Sequence, residues 1–135
     1  MHIYPIDIFY DDTDALGIVY HANFIKYMER ARTMLFQEKK LSLSTVTEEY
    51  NILFVVKRVE IEYHRPVKLL QKIHVFTEVS ELGKASLTFN QRICFDPDNM
   101  DTIICSGKVV IVCTNKELKP CPIPARILGE LNSEH

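Results

Sequence analysis

Between Phe9 and Arg32 the spacing of apolar residues changes, and that change limits what the chain can fold into. From Ile3 to Tyr10 they alternate, with Tyr4, Ile6, Ile8 and Tyr10 on one side. This is the period of a strand, and Pro5 marks an edge or a strand start. Asp11-Asp12-Thr13-Asp14 breaks the alternation, and Gly17 suits a sharp bend. From Ala22 the period is helical: Phe24, Tyr27, Met28, Ala31 and Leu35 recur at helix spacing, with Lys26, Glu29, Arg30, Thr33 and Gln37 mostly on other faces. The spacing predicts one amphipathic helix to about Lys39, with a stripe wide enough to lie buried against a sheet. Asp14 stands seven residues before the helix start near His21.

After a polar stretch from Leu41 to Asn51, read as a loop with a short helical turn, four strands follow. In Leu53 to His64, Val55, Val59, Ile61 and Tyr63 face one way and Arg58, Glu60, Glu62 and His64 the other. Ile73 to Leu82 turns Ile73, Val75 and Val79 inward. After the Gly83-Lys84 turn, Ala85, Leu87, Phe89, Ile93 and Phe95 alternate with polar residues. Asp96-Pro97-Asp98-Asn99 is a turn. Ile103 to Thr114 ends the set, and its centre, Val109 to Cys113, is apolar on both faces and so expected to be covered on both. Short connections favour antiparallel pairing. The tail has Pro120, Pro122 and Pro124 before Ile127-Leu128, which would cap an edge or fray.

One strand, one long helix and four hairpin-linked strands give a single α+β domain over 1–135, with a sheet curling around the helix. Such a layer leaves edges and apolar surface open, which dimerisation would cover. A net charge of −2 provides no global basic field for nucleic acid or anionic membrane. No apolar run approaches the ~20 residues that cross a bilayer. The start lacks the basic and apolar segments of a signal peptide. Cys94, Cys105, Cys113 and Cys121 form no CxxC pair, so they read as buried thiols in a reduced, cytoplasmic setting, without metal or bound cofactor.

The run Asp12-Thr13-Asp14, Gly17, Val19, Tyr20-His21, Asn23-Phe24 and Glu29-Arg30-Ala31-Arg32 resembles the hotdog-fold acyl-CoA thioesterases. It is most similar to the 4-hydroxybenzoyl-CoA thioesterase group and its YbgC-like branch. Weaker likeness extends to residues 54–56, to Tyr63 with Arg65-Pro66, and to Gln91. Leu16 departs from a usual glycine, and Leu70-Gln71 from a usual acid-bearing turn.

The resemblance implies hydrolysis of an acyl-CoA, or of an acyl-carrier-protein thioester, by a homodimer or homotetramer. It implies Asp14 as the catalytic acid, either attacking the carbonyl or taking a proton from water. An aspartate is ionised at neutral pH without tuning. A turn role, bonding backbone amides, is the plain alternative. It also implies that the backbone N–H of His21 polarises the carbonyl, since the first amides of a helix have no partner within it and carry partial positive charge. Gly17 and Tyr20 stand beside that site in the motif, and Phe54 and Val55 are candidates for the acyl slot from a second subunit. Lys84 is the candidate phosphate contact, with Lys57 and Arg58 as further basic options. Glu29 reads as an i,i+3 partner of Arg32 or a subunit contact, with catalysis the lesser alternative. Three rival readings are an acyl-CoA binding module without turnover, a hydratase using His21 and Glu29, and a structural partner in an envelope complex.

Overall fold

The computed structural model describes residues 1–132, the side chain of Met100 excepted. Strand β1 (His2–Asp7) is followed by helices α1 (Ala22–Glu38) and α2 (Leu43–Tyr50), then strands β2 (Leu53–Tyr63), β3 (Lys72–Leu82), β4 (Ser86–Asp96) and β5 (Asn99–Thr114), and last helix α3 (Ala125–Leu131). The five strands make one sheet in the order β1-β3-β4-β5-β2, antiparallel at every step. Helix α1 lies on one face of it, packed chiefly over β3 and β1. A long helix on a five-stranded antiparallel sheet is the architecture the periodicity predicts.

The core along α1 has two apolar parts. Phe24, Tyr27, Met28 and Ala31 pack with Ile6, Ile8, Ile73, Val75 and Ile93. Leu35 and Phe36 pack with Val79, Leu87, Phe89, Ile111 and the tail residues Ile123, Ile127 and Leu131. Between them runs a buried polar seam. Gln91, fully buried on β4, accepts a hydrogen bond from Arg32 Nη1 (2.9 Å) and donates to the Met28 carbonyl and Thr77 Oγ1, both at 2.9 Å. Both ends of its amide are therefore matched, which is the condition for burying a polar group without penalty. Next to the seam, β5 has Gly107 under Met28. A Cβ there would stand 3.0 Å from the Met28 sulfur and terminal methyl.

Several expectations need correction. The first strand ends at Asp7, because its partner β3 begins at Lys72. Ile8 stays buried, but Tyr10 swings out into a 3₁₀ turn, 81% exposed. The stretch after Leu41 forms a two-turn helix ended by Asn51 in the left-handed conformation (φ 56°), a familiar helix stop. In β2, Val56 pairs with Ile111 and Arg58 with Val110, so Lys57 is an extra, bulged residue. The bulge reverses the faces before it: Phe54 and Val56 share the helix side with Val59, Ile61 and Tyr63, whereas Val55, opposite Val112, faces away. The centre of β5 is buried on the helix side only; Val110 and Val112 on the other side are half-buried. The tail caps the core end through α3, with Ile127 and Leu131 fully buried.

Replacing Gly107 with valine should force Met28 out of place and cost about 1–3 kcal/mol, the usual penalty of overpacking. Urea unfolding of Gly107→Val beside the native chain measures it. An unchanged midpoint would mean that helix and sheet do not touch there.

Candidate active site

The segment from Tyr10 to Tyr20 is a compact loop pinned at both ends. Its 3₁₀ turn is closed by Asp12 Oδ2, which accepts the Phe9 N–H at 2.9 Å, and by Thr13 Oγ1, which donates to the Tyr10 carbonyl at 2.8 Å. Asp14 then opens a tight reversal. Its N–H donates to Ile18 O (2.8 Å), its carbonyl accepts Gly17 N–H (3.0 Å), and Thr13 faces Val19 across the two arms. Gly17 has φ +77°, a backbone shape costly for other residues, so the reversal depends on glycine. Val19 N–H donates to Val67 O at 2.8 Å, fastening the loop to the chain beyond β2.

One carbonyl ties this loop to the start of α1. Asp12 O accepts the Tyr20 N–H at 3.1 Å and Asn23 Nδ2 at 2.9 Å. Asn23 is already in the first turn of the helix. Tyr27, one turn further, is fully buried, and its hydroxyl lies near the Asp12 carboxylate without a hydrogen bond of good geometry among the described residues. Burial first, and then the neighbouring Asp12 carboxylate, push the Tyr27 pKa up, so it stays a neutral phenol. Tyr63 on β2 completes the frame: its hydroxyl donates to the His21 carbonyl at 3.2 Å, and its ring stands edge-on to the imidazole at 6.0 Å. Burial raises the Tyr63 pKa, so that donor keeps its proton through the neutral range.

Asp14 is exposed. Its Oδ1 accepts the Leu16 N–H at 2.8 Å, which is the turn role weighed above, while Oδ2 has no partner in the described residues. His21 stands immediately before α1 with helical dihedrals (φ −55°, ψ −33°) and makes no side-chain cap. Its carbonyl is taken by Phe24 N–H and Tyr63, but its own N–H has no acceptor among the described residues. Asp14 and Gly17 sit on the tip of the reversal, Tyr20 and His21 at its base beside Asp12, and all four are exposed. The corner where loop and helix meet offers one open carboxylate oxygen and one unspent amide at the positive end of a helix.

The other predicted site residues lie elsewhere in the chain. Phe54 is at the far end of β2 from Tyr63, against Phe36. Val55 points away from the helix. Lys84 is in the β3–β4 hairpin, at the opposite end of β3 from the residues beside the Asp14 loop, some 35 Å along a strand of that length. Glu29 makes no ion pair with Arg32, whose guanidinium goes to Gln91 instead. Among the described residues no cluster of three or more His, Cys, Asp or Glu side chains could hold a metal ion. No helix is long and apolar enough to cross a membrane. Asp12, Asn23, Tyr27 and Tyr63 were not singled out as site residues. Asn23 meets Asp12 across 11 residues and Tyr63 meets His21 across 42, and Asp12, Asn23 and Tyr63 carried a signal only as parts of the family pattern.

The thioesterase-like superfamily model matches residues 9–131. The chain belongs to that family. It is 33% identical over 128 residues to the acyl-CoA thioester hydrolase YbgC of Escherichia coli O6:H1, covering 94% of this chain and 92% of the relative. It is 35% identical over 126 residues to the acyl-CoA thioesterase YbgC of Haemophilus influenzae, covering 92% and 89%. Among solved structures, a probable thioesterase from Bartonella henselae superposes with a TM-score of 0.83 at 27% identity, over 91% of this chain and 98% of that one. A 1,4-dihydroxy-2-naphthoyl-CoA thioesterase from Synechocystis, at 17% identity, shares the fold: TM-score 0.88, over 97% and 95%. The YbgC-like resemblance and the hotdog fold read from the sequence are both met. The enzyme class read there, a thioester hydrolase, is that of the curated relatives.

Two outcomes test this description. Asn23→Ala removes one of the two bonds to Asp12 O, so it should cost about 1 kcal/mol of stability and lower kcat more than it raises KM. Burial pushes the Cys105 thiol up to about 12, and burial with the Cys121 neighbour does the same for Cys113. At pH 8 both should resist a thiol-specific disulfide reagent in the folded protein and react once it is unfolded. Rapid native labelling of either would contradict their placement.

Proposed function

We propose that this chain hydrolyses acyl-CoA thioesters to a free acid and coenzyme A, with Asp14 as the acting carboxylate and the His21 N–H as the carbonyl's partner. What supports the reading is an unbonded carboxylate oxygen on the loop and an unspent helix-start amide where the loop ends. A thioester carbonyl resting against that amide would be polarised where charge develops, and one comparable donor is worth about 10²–10³ in rate. The carboxylate then acts in one of two ways. It attacks the carbonyl carbon, expelling the thiolate and leaving a mixed anhydride for water to cleave. Otherwise it takes the proton from an attacking water, and the thiolate leaves directly. Gly17 lies beside the carboxylate's turn and Tyr20 beside the amide.

The assembly we propose is a homodimer, the unit from which a homotetramer would be built. β2 pairs only with β5, so its other edge carries unbonded backbone groups. Along it Val55, Val56, Val59 and Tyr63 are 37–49% exposed. A long apolar edge strand is a template for pairing, and a second copy of β2 satisfies it. Lys84, remote from Asp14 within one chain, would reach that residue's site only from another copy. The hydratase reading loses ground, because Glu29 lies eight residues beyond His21, about 12 Å along the helix.

Asp14→Asn is the informative variant, since an amide oxygen can still accept the Leu16 N–H and hold the turn. Thiol release from a panel of acyl-CoAs should fall by about 10²–10⁴, with melting temperature and mass in solution unchanged. Asp14→Ala should be as inactive and also loosen the loop. An active Asn variant would take the carboxylate out of the mechanism.

A further inference from the structure

Between α1 and β2 lies a cleft of about 130 Å³, walled by Phe36, Leu43, Phe54, Val56 and Ile111, with Arg32 in it. Arg32 is only 8% exposed, yet its one hydrogen bond among the described residues is to a neutral amide, Gln91 Oε1. No carboxylate stands within ion-pairing distance among the described residues. Glu29, one turn back and exposed at the cleft, acts on it only from further off. Burial of the guanidinium lowers its pKa, but arginine stays charged in proteins. The Nε and Nη2 donors make no bond to protein, and they are not among the sealed, unpartnered atoms of the interior. Arg32 is among the residues that line the cleft, so these donors face it or the solvent beside it. A buried cation without a counter-ion is costly, and a cleft that leaves its donors free is complementary to an anion.

The cleft is aligned with the proposed reaction corner. Arg32 follows His21 by eleven residues, which brings it round to within about 20° of the same side of the helix and about 16 Å along it. The guanidinium leans back toward the helix start, as its bond to Gln91 beside the Met28 carbonyl shows. The helix-side residues of β2 run the same course, from Tyr63 beside His21 to Phe54 beside Phe36. A chain running from that corner to the cleft would pass the packed rings of Phe24 and Tyr63 and end at a buried positive charge.

We infer that this cleft receives the far end of the acyl group and that Arg32 selects acyl chains ending in a carboxylate. The substrate class would be CoA monothioesters of dicarboxylic acids of medium length, long enough to reach from the corner to the guanidinium. This rests on the thioesterase reading above, and it makes Arg32 a specificity residue rather than a catalytic one. Glu29 at the cleft would repel an ill-placed carboxylate, so recognition requires the chain to enter along that path.

The test compares acyl-CoAs matched in length, with and without a terminal carboxylate, on the native protein. The carboxylated member should win in kcat/KM by about tenfold or more, the worth of a hydrogen bond to a charged group, chiefly through KM and only at medium length. Arg32→Gln keeps an amide able to bond Gln91 but removes the charge, so the ratio should fall to near one. Arg32→Lys should retain part of it. Light scattering and a melting curve accompany each variant, and the native ratio decides the matter even where a variant fails to fold. Ready hydrolysis of plain acyl-CoAs with a native ratio at or below one overturns the selection and leaves the thioesterase reading standing. So does a preference that survives in a folded Arg32→Gln. Failure to hydrolyse either series removes both.

Discussion

The placement of α1 on the sheet depends on one buried side chain, Gln91. Apolar packing alone is tolerant of sliding and rotation, because one hydrocarbon contact replaces another at little cost. Gln91 makes three directional bonds, to Arg32, the Met28 carbonyl and Thr77, that hold only in one position of the helix. Any shift would strand polar groups in the interior, at about 1–3 kcal/mol each. The seam thereby fixes where the helix begins, and the reaction corner is built on that start.

The corner is then a matter of two anchors. Val67 holds the loop from the sheet side, and the Asp12 carbonyl holds it to the first helical turn through Tyr20 and Asn23. Between the anchors the Asp14–Ile18 reversal presents a carboxylate with one oxygen engaged in the turn and one left open. The two readings of Asp14, as a turn residue and as a reacting group, are therefore not exclusive. The bond to Leu16 orients the side chain, and the other oxygen is open to the reaction proposed for it.

The same economy applies to Arg32. Its bond to Gln91 serves the fold, and its remaining donors face a cleft, or the solvent beside it, along the open side of the helix. That side is open because α1 leans over β1 and β3 and leaves β2 uncovered. The exposed valines of β2 and the open cleft are consequences of one asymmetry in the packing.

Periodicity alone determined the element order, the helix from Ala22 and the inward residues of β3 and β4, because burial repeats every two residues in a strand and every three to four in a helix. The pattern from Asp12 to Arg32 determined the family. Tertiary structure decided the rest. The bulge at Lys57 leaves no mark on composition, so the faces of early β2 were reversed in the sequence reading. Arg32 was read as an i,i+3 partner of Glu29, yet a partner 59 residues away draws it into the core. Phe54 and Lys84 stand apart from the Asp14 loop, since a strand's length separates them from it. These outcomes turn on contacts between distant segments, and a linear pattern records local spacing but not which far residues meet.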